Sequence, residues 1–454
     1  MGSDWKEVSL GEIGRVVTGK TPKTKVIENF GHEIPFITPR DMDDQRIISE
    51  TERYLSKVGS VSVKNSIIPA NSISVSCIGS DMGKSAITKY LSVTNQQINS
   101  IVVSDEFYYK FVYYNLSSRK AEIRGLAGGS AQPILNKSDF SQIKMFVPPL
   151  TEQKAIAHIL GSLDDKIELN RQMNETLEAM AQALFKSWFV DFDPVIDNAL
   201  AAGNAIPDEF AERAKQRKAI EKKDNSDIQS LFPAEFEFTK EMGWIPKGWS
   251  IKKAEEIASI TIGKTPPRKE SKWFSDTQKD NLVWVSIRDM GNSNVFINDS
   301  SEYLTKESIK KFNVKVIPRN SVMLSFKLTL GRVLIAQKEL TTNEAIAHFC
   351  NPQFSMSKEY IYCYLSNFKY DSLGSTSSIA TAVNSKIIKG MPFIVPSEQV
   401  LSAFETLSKI YFDKISLVNQ QIDSLANLRD TLLPKLMSGE LRIADAEVLV
   451  DEIL

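Results

Sequence analysis

The chain repeats itself, because short motifs of its first half return in the same order in its second half. The matching pairs are Gly19-Lys20-Thr21-Pro22 with Gly263-Lys264-Thr265-Pro266, Arg40-Asp41-Met42 with Arg288-Asp289-Met290, and Asp165-Lys166-Ile167 with Asp413-Lys414-Ile415. The separation between the copies drifts by only a few residues. Two copies of one fold in a single polypeptide give pseudo-two-fold symmetry, which suits a target with two similar halves.

Length and composition narrow the possible functions. A chain of 454 residues is too long for one core and predicts several domains. No apolar run approaches the ~20 residues that a membrane helix needs. Cys77, Cys350 and Cys363 show no pairing pattern, and the histidines are not spaced as ligand pairs. We therefore expect a cytoplasmic protein with no membrane span and no metal site. The net charge of −1 means that any nucleic-acid binding must come from local basic patches or partner subunits.

Two long stretches have the apolar spacing of paired helices. The first is predicted over 151–190 after Pro148-Pro149, with Thr151 as its N-cap; the second follows Pro396, with Ser397 as its N-cap and Gly439 as its stop. The two heptad seams are Ile156, Leu160, Leu163, Ile167, Asn170, Asn174, Leu177, Ala181, Leu184 and Phe404, Ser408, Tyr411, Ile415, Val418, Ile422, Leu425, Arg429, Leu432.

Each stretch would span roughly 55–60 Å at 1.5 Å per residue. The long, narrow seams favour an antiparallel coiled coil between the two helices, in which Asn170 and Asn174 set the register. The alternative is that they are ordinary core helices of two separate domains.

The remaining sequence predicts an α+β fold in each half, because short β-branched runs alternate with Gly, Pro, Asn and short amphipathic helices. We expect globular domains over 1–150 and 249–396, a connecting segment over 191–248, and the C-terminal helix and tail over 397–454.

Two motifs resemble catalytic signatures without fitting them. The segment from Gly14 to Thr21 matches the phosphate-binding loop, but such a loop must open a helix and Pro22 follows instead. The second copy has Ala258 in place of the first glycine, so the repeat preserves a turn. Asn351-Pro352-Gln353-Phe354 resembles an amino-methyltransferase motif, but the third residue differs and no methyl-donor site is visible. We interpret it as a strand end leading into a helix at Ser357.

Basic residues recur beside the Gly-Lys-Thr-Pro turn in both copies. They can be ordinary solvated surface, or they can contact phosphates. Arg40 and Arg288 could reach guanine edges, or could pair with the neighbouring Asp41 and Asp289.

Taken together, the chain resembles the DNA-specificity subunit of type I restriction–modification systems over nearly its whole length. The residues that carry the resemblance are Trp5, Leu10-Gly11-Glu12-Ile13, Gly19-Lys20-Thr21-Pro22, Gly128-Gly129-Ser130 with Gln132, Val147-Pro148-Pro149-Leu150-Thr151-Glu152-Gln153, the run from Leu184 to Pro194, and Ile245-Pro246-Lys247-Gly248-Trp249. The second copy departs from the pattern, since Ser375-Thr376-Ser377-Ser378 stands near the Gly-Gly-Ser position without a counterpart of Gln132.

The resemblance implies two target recognition domains that read the halves of a split DNA site, with the helices as spacer. It implies docking to two methyltransferase subunits and to motor-nuclease subunits, so that S-adenosylmethionine, ATP and Mg act on the partners and this chain is not itself an enzyme. The DNA-contact residues expected on this basis are Lys20, Thr21, Lys23, Thr38, Arg40, Lys84, Ser130, Gln132, Lys137, Lys264, Thr265, Arg268, Arg288, Lys327, Arg332 and Lys386.

Two other functions remain open at this point. One is the recognition arm of a self-contained methyltransferase or nuclease, which requires catalysis at Asn351 to Phe354. The other is a coiled-coil scaffold without a DNA role.

Overall fold

A computed structural model describes residues 4–42, 46–126, 134–220, 226–373 and 383–451. The chain divides into a first unit, Met1–Asn170 with Gln421–Leu454, and a second unit, Arg171–Gln420. Each unit contains one globular α+β region and a part of both long helices.

The globular region of the first unit is built on two five-stranded sheets. The strands of the first sheet follow the order Gly14–Thr18, Ile98–Val103, Ile73–Ser76, Ser85–Thr88, Ile47–Ile48. Those of the second follow the order Phe30–Gly31, Arg53–Leu55, Ile34–Ile37, Ser92–Thr94, Ile67–Ile68. A separate two-stranded pair joins Lys6–Ser9 to Lys144–Val147. The helices of this unit outside the long pair are Leu10–Ile13, Lys57–Ser62, Tyr109–Ser118, Lys120–Leu126, Lys137–Gln142 and Ile443–Asp451, with 3-10 turns at Ile27–Asn29, Pro39–Met42 and Lys64–Ser66.

The second unit repeats this topology. Its five-stranded sheet has the order Ser259–Ile262, Ile346–Cys350, Val322–Ser325, Val333–Ala336, Phe296–Ile297. Its four-stranded sheet has the order Phe274–Ser275, Tyr303–Thr305, Asn281–Val285, Thr341–Thr342. A separate pair joins Ser250–Lys253 to Pro392–Val395. Its helices outside the long pair include Ala254–Ile257, Ile287–Gly291, Lys306–Phe312, Lys358–Asn367 and Ser385–Lys389, with 3-10 turns at Ser271–Trp273 and Tyr370–Leu373. The duplication in the sequence is therefore a duplication of fold.

The segment between the two globular regions is also structured. It forms the helices Asp193–Ala202, Ala211–Ala219 and Ser226–Gln229, the 3-10 turn Asp208–Phe210, and the hairpin Phe236–Thr239 with Gly243–Pro246. Asp193 and Asp197 are buried, and Arg213 and Arg217 donate hydrogen bonds to their carboxylates. These ion pairs hold the second helix of the segment against the first.

The two long helices are Leu150–Phe189 and Glu398–Ser438, with 40 and 41 residues. The N-cap prediction for the first helix is wrong: it begins at Leu150, because the Pro149 carbonyl already accepts the first helical N–H bonds, so that Thr151 lies inside the first turn. The second helix confirms the prediction, since it begins after Ser397 and ends before Gly439, which has a left-handed φ of 70°.

The predicted seams are buried or half-buried, and within each unit the helices pair in antiparallel order. In the second unit Asn174 Nδ2 donates to Asn419 Oδ1 at 2.7 Å, while Phe185 lies 5.8 Å from Phe404, ring centre to ring centre. In the first unit Leu160 and Leu163 share one apolar cluster with Leu425, Leu432 and Leu436.

Polar layers interrupt the seam at its middle. Asn170 and Asn174 are each 2% exposed, and within the described residues Asn170 Nδ2 and Asn174 Oδ1 have no hydrogen-bond partner. Buried amides of this kind cost stability and favour one register over others.

Candidate nucleic-acid interface

The Gly-Lys-Thr-Pro turn is kept in both copies because a glycine is needed for close packing. A Cβ atom on Gly19 would lie 2.0 Å from the Asn95 carbonyl oxygen, and one on Gly263 would lie 2.1 Å from that of Asn343. Gly14–Thr18 is a strand, and among the described residues no helix opens at Thr21. The motif is therefore a tight turn, as the sequence predicts, and not a phosphate-binding loop.

A second turn in each unit, at 94–97 and at 342–345, joins three chain segments; we call it the hub turn. The backbone bonds of the first hub turn are Lys20 N to Thr94 O at 2.8 Å, Asn95 N to Ile37 O at 2.9 Å and Cys77 N to Gln97 O at 2.7 Å. Those of the second are Lys264 N to Thr342 O at 2.9 Å, Asn343 N to Val285 O at 3.0 Å and Phe326 N to Ala345 O at 2.9 Å.

These bonds gather the same three elements in each unit. They are the Gly-Lys-Thr-Pro turn, the short helix that carries the Arg-Asp-Met motif, and a hairpin loop at 77–84 or 326–332. We call each set a loop cluster. The sequence retained the signal for the hub turn, because Thr94-Asn95 and Thr342-Asn343 are among the repeated motifs, but it did not indicate which segments the turn connects.

The aspartate of the second Arg-Asp-Met motif caps its own helix. Asp289 accepts hydrogen bonds from the Ser286 backbone N–H at 2.8 Å and the Ser286 hydroxyl at 2.6 Å, and further bonds from Ser301. Burial alone would raise the pKa of Asp289, but these hydrogen bonds hold it below its usual value. Arg288 is exposed beside this cap.

The first copy has the same arrangement. Asp41 accepts hydrogen bonds from the Thr38 backbone and hydroxyl, both at 2.7 Å, and from the Glu52 backbone at 2.8 Å. Within the described residues neither Arg40 nor Arg288 forms an ion pair. The alternative that each arginine pairs with the aspartate next to it is therefore wrong. Both guanidinium groups face solvent.

Both threonines of the Gly-Lys-Thr-Pro turns bond to the hub turns. The Thr21 hydroxyl donates to Gln96 Oε1 at 2.5 Å, and the Thr265 hydroxyl donates to the Glu344 carboxylate. Their first role is therefore internal, whereas the side chains of Lys20 and Lys264 stay exposed.

The hairpin loops contribute further cations. Lys84 pairs with Asp81 at 2.8 Å, and the structurally equivalent Arg332 donates to the Ile287 carbonyl at 2.7 Å, which ties its loop to the helix of Arg288. Lys327 is exposed in the same loop.

Other predicted residues lie outside the clusters or are engaged within the protein. Arg268 makes two hydrogen bonds to Glu302, at 2.6 and 2.8 Å, and its guanidinium lies over the rings of Phe274 and Trp284. Hydrogen bonding to Glu302 raises the pKa of Arg268. Lys23 is exposed after the first turn.

The remaining candidates sit on two short helices or outside the described residues. Lys137 begins a helix two residues after Leu135, whose N–H bonds to the Cys77 carbonyl near the first cluster. Lys386 lies at the start of the helix Ser385–Lys389. Ser130 and Gln132 lie outside the described residues, as does the Ser375–Ser378 run.

A buried histidine packs beneath the second cluster. His348 is 0% exposed, with Nδ1 2.9 Å from the Thr261 hydroxyl and Nε2 2.7 Å from the Thr342 hydroxyl. Burial lowers the pKa of His348 to about 3, so the ring is neutral near pH 7. Thr342 belongs to the hub turn, so this histidine supports it from below.

The exposed cations of each cluster share one chemistry. Lys20 and Arg40 in the first unit, and Lys264, Arg288 and Lys327 in the second, present charged donors from a backbone that is held by hydrogen bonds. Lysine and arginine in such loops donate to phosphates, and arginine also donates in a bidentate fashion to guanine. Among the described residues no group of His, Cys, Asp and Glu is arranged to hold a metal, and no helix is long and apolar enough to cross a bilayer.

Comparison with known proteins decides the family. The model of the type I restriction modification DNA specificity domain matches residues 2–179 and again 246–427. The chain belongs to that family. A specificity subunit from Methanocaldococcus jannaschii, that of the type I restriction enzyme MjaIX, is 27% identical over 97% of this chain and 94% of its own length. The HindI specificity subunit from Haemophilus influenzae is 28% identical over 97% of this chain and its full length.

Solved structures include a type I restriction–modification S subunit from M. genitalium, which covers 96% of this chain and 97% of its own at 16% identity and a TM-score of 0.49. The two matches of the specificity-domain model each contain one of the two loop clusters and one part of the helix pair. The family assignment thus agrees with the repeat that the sequence displays.

The methyltransferase-like motif forms a turn in this family member. Asn351 and Phe354 have left-handed φ angles of 49° and 57°, and Gln353 N donates to the Ile257 carbonyl. Ser357 then caps the helix Lys358–Asn367. The prediction of a strand end that leads into a helix at Ser357 is confirmed.

Proposed function

We propose that this chain is the DNA-reading subunit of a type I restriction–modification complex, and that residues 1–150 and 249–396 each read one half of a bipartite site. The observation that carries the proposal is the pair of loop clusters, which repeat the same hydrogen-bonded scaffold in two matching regions of a specificity-domain chain. Two readers in one polypeptide suit a site whose halves are similar in geometry and differ in sequence, because each cluster carries different side chains on the same scaffold.

The long helices serve as spacer and as docking surface in this proposal. Methyltransferase subunits and motor-nuclease subunits would bind here and bring S-adenosylmethionine, ATP and Mg, while this chain supplies no catalytic group. Such a complex works in the cytoplasm, where the chromosome lies. The antiparallel seam supports the spacer role, because a packed helix pair resists bending more than a flexible linker does.

Mapping of adenine methylation in cells tests the proposal. Cells that carry this gene together with its neighbouring methyltransferase gene should show a bipartite motif that is absent when either gene is removed. Exchange of residues 5–150 for those of a relative should change one half of the motif only. A motif that ignores this gene, or one in which both halves change, would contradict the proposal.

Charge-removing variants then locate the interface. In the complex with methyltransferase subunits, we expect K264A with R288A to weaken DNA binding and to reduce the slope of log affinity against log salt by about 0.9 per lost phosphate contact. The matched control is K215A with K218A, which removes two exposed cations from the helix Ala211–Ala219, a helix that belongs to neither loop cluster. Equal salt slopes for the two pairs would count against the interface.

A further inference from the structure

A leucine at the tip of the second hairpin loop is fully exposed and held in a strained conformation. Leu328 is 99% exposed and has a φ of +64°. The Thr329 N–H donates to the Lys327 carbonyl at 2.8 Å across it, which closes a γ-turn centred on Leu328. Residues with a Cβ rarely adopt this conformation, and exposure of the side chain to water adds nothing to folding stability.

The corresponding loop of the first unit has a glycine in place of this leucine. Its loop is anchored in the same way: Ser76 N donates to Lys84 O and Gly83 N to Ser76 O, as Ser325 N does to Arg332 O and Gly331 N to Ser325 O. The third residue after the anchoring serine is Gly79, with a φ of +79°, in the first loop and Leu328 in the second. The first loop is one residue longer, but glycine takes a positive φ there at no steric cost, so a loop anchored in this way does not require a leucine side chain.

The base of the loop is rigid and faces the other elements of the second cluster. Phe326 is 3% exposed and its N–H bonds to the hub turn, while Arg332 bonds to the Ile287 carbonyl at the start of the helix of Arg288. Lys327, directly beside Leu328, is exposed. An apolar tip therefore projects from a fixed base next to cations that suit phosphates.

We propose that Leu328 is a wedge that inserts between stacked base pairs of the half-site read by the second unit. This inference rests on the proposed function. Apolar side chains flanked by cations can unstack a base step, because the cations hold the backbone while the side chain replaces part of the lost stacking. Gly79 leaves the equivalent position of the first loop without an apolar side chain, so we expect this distortion in one half-site.

Fluorescence of 2-aminopurine, which rises when the base is unstacked, tests the wedge in the complete complex with methyltransferase subunits. The probe is placed in turn along both halves of the mapped site. The target adenine of each half is left out of the comparison, because a methyltransferase extrudes its target base and would raise the fluorescence there in both halves. At the remaining positions we expect, for the native chain, a rise at one step of the half read by residues 249–396 and none in the other half. Leu328→Gly should abolish the rise and weaken cognate binding by about tenfold, since the wedge contributes only to the distorted complex.

Two comparisons make the result specific. Val316→Ala, at a side chain that is 42% exposed in the same unit, removes apolar surface elsewhere and should keep the fluorescence rise. Leu328→Gly should retain native thermal stability or exceed it, because it relieves the strained φ. A change in affinity or fluorescence in this variant would therefore not be caused by unfolding. A mismatch at the step should restore part of the variant's affinity, since it removes the cost of unstacking.

The outcomes separate this inference from the proposed function. If the native complex selects no bipartite sequence, the proposed function fails and the wedge fails with it. If the native complex selects its site and Leu328→Gly gives the same affinity and fluorescence, only the wedge is overturned. If Leu328→Gly instead weakens assembly with the methyltransferase in the absence of DNA, Leu328 contacts protein and the wedge is likewise overturned.

Discussion

The two units place opposite chemistry at one equivalent position, where the globular region meets the long helices. In the first unit Asp164 is the centre of a polar cluster. Its carboxylate accepts from Arg429 Nη1 at 2.8 Å and from the Tyr114 hydroxyl at 2.6 Å, and lies 3.7 Å from Arg46 Nη1. Burial and the charge of Asp164 raise the pKa of Tyr114, which keeps this hydroxyl protonated as a donor.

In the second unit the same position is apolar. The counterparts of Arg46, Tyr114, Asp164 and Arg429 are Val295, Cys363, Phe412 and Ala181, and each is no more than 1% exposed. All four belong to one apolar cluster. The equivalence is visible in the backbone, because Ile87 N donates to the Arg46 carbonyl as Ile335 N donates to that of Val295, both at 2.9 Å.

One fold can therefore join its long helices through two different kinds of contact. An apolar cluster gains stability from burial alone and tolerates small shifts. A buried ion cluster adds little net stability, because desolvation offsets the attraction, but it requires each partner in place. The stability of the first unit should therefore be more sensitive to single substitutions in this ion cluster than the volume of the replaced side chain would predict.

The largest effect is expected from Phe412→Asp in the second unit. The carboxylate would be buried among apolar side chains with no cation, and we expect a loss of about 4 kcal/mol or more in the free energy of unfolding. Calorimetric unfolding measures it, with Phe412→Leu as the control, expected to cost about 1 kcal/mol. Equal midpoints for the two variants would show that charge is tolerated here and that the units do not differ as described.

A smaller effect is expected from Asp164→Ala in the first unit. Arg46 and Arg429 would lose their shared counter-charge, at a cost of about 2–3 kcal/mol, reduced from the value for fully buried pairs because these side chains are partly exposed. Urea unfolding measures the loss.

The matched variant for that experiment transplants the second unit's residues into the first: R46V, Y114C, D164F and R429A together. We expect stability equal to or above that of the native chain, because a packed apolar set can replace a buried ion cluster without loss. If the fourfold variant is less stable than Asp164→Ala, the ion cluster stabilises the fold more than an apolar set of side chains at the same positions can.

The contribution of His348 is small at neutral pH and appears only in acid. Its counterpart in the first unit is Ser100, which bonds Ser74 and does not titrate. The folded pKa of about 3 lies below the unfolded value of ~6.5, so the unfolded chain binds a proton first between these pH values. Stability should therefore fall as the pH drops below ~6.5, by at most about 1.4 kcal/mol per pH unit from this site.

His348→Gln isolates this contribution. The variant keeps a polar side chain between Thr261 and Thr342 but has no proton to gain, so its stability should change less between pH 6.5 and pH 4 than that of the native chain. Thermal unfolding of both proteins across this range gives the difference. Parallel pH profiles would mean that His348 is already accessible to protons in the folded state.

Sequence patterns predicted the helices and the tight turns well, because these depend on residues close together in the chain. The heptad spacing of Leu160 and Leu163 reports which face of a helix is apolar, and a glycine beside Lys20 reports a close approach of the backbone. The internal repeat extended both findings to the second half at once. The helix start at Leu150 was missed by one residue, since proline and threonine are both common at that boundary.

The sequence could not predict which of the proposed DNA-contact side chains are free to contact DNA and which are engaged within the protein. Arg268 and Lys264 look alike in the sequence, yet Arg268 is taken up by Glu302 and two aromatic rings. Whether a cation is free depends on residues that other elements bring to it, and the local pattern around Arg268 contains no information about Glu302.

Local sequence patterns were enough to predict one α+β unit that occurs twice, a long helix after each copy, and the resemblance to specificity subunits. They did not predict that Asp289 caps its helix and leaves Arg288 at the surface. Nor did they predict that an ion cluster surrounds Asp164 where an apolar cluster surrounds Phe412. The interactions that set these features differ in range. Helix periodicity and turn geometry act over a few residues, whereas the partners of these side chains arrive from distant segments once the chain has folded.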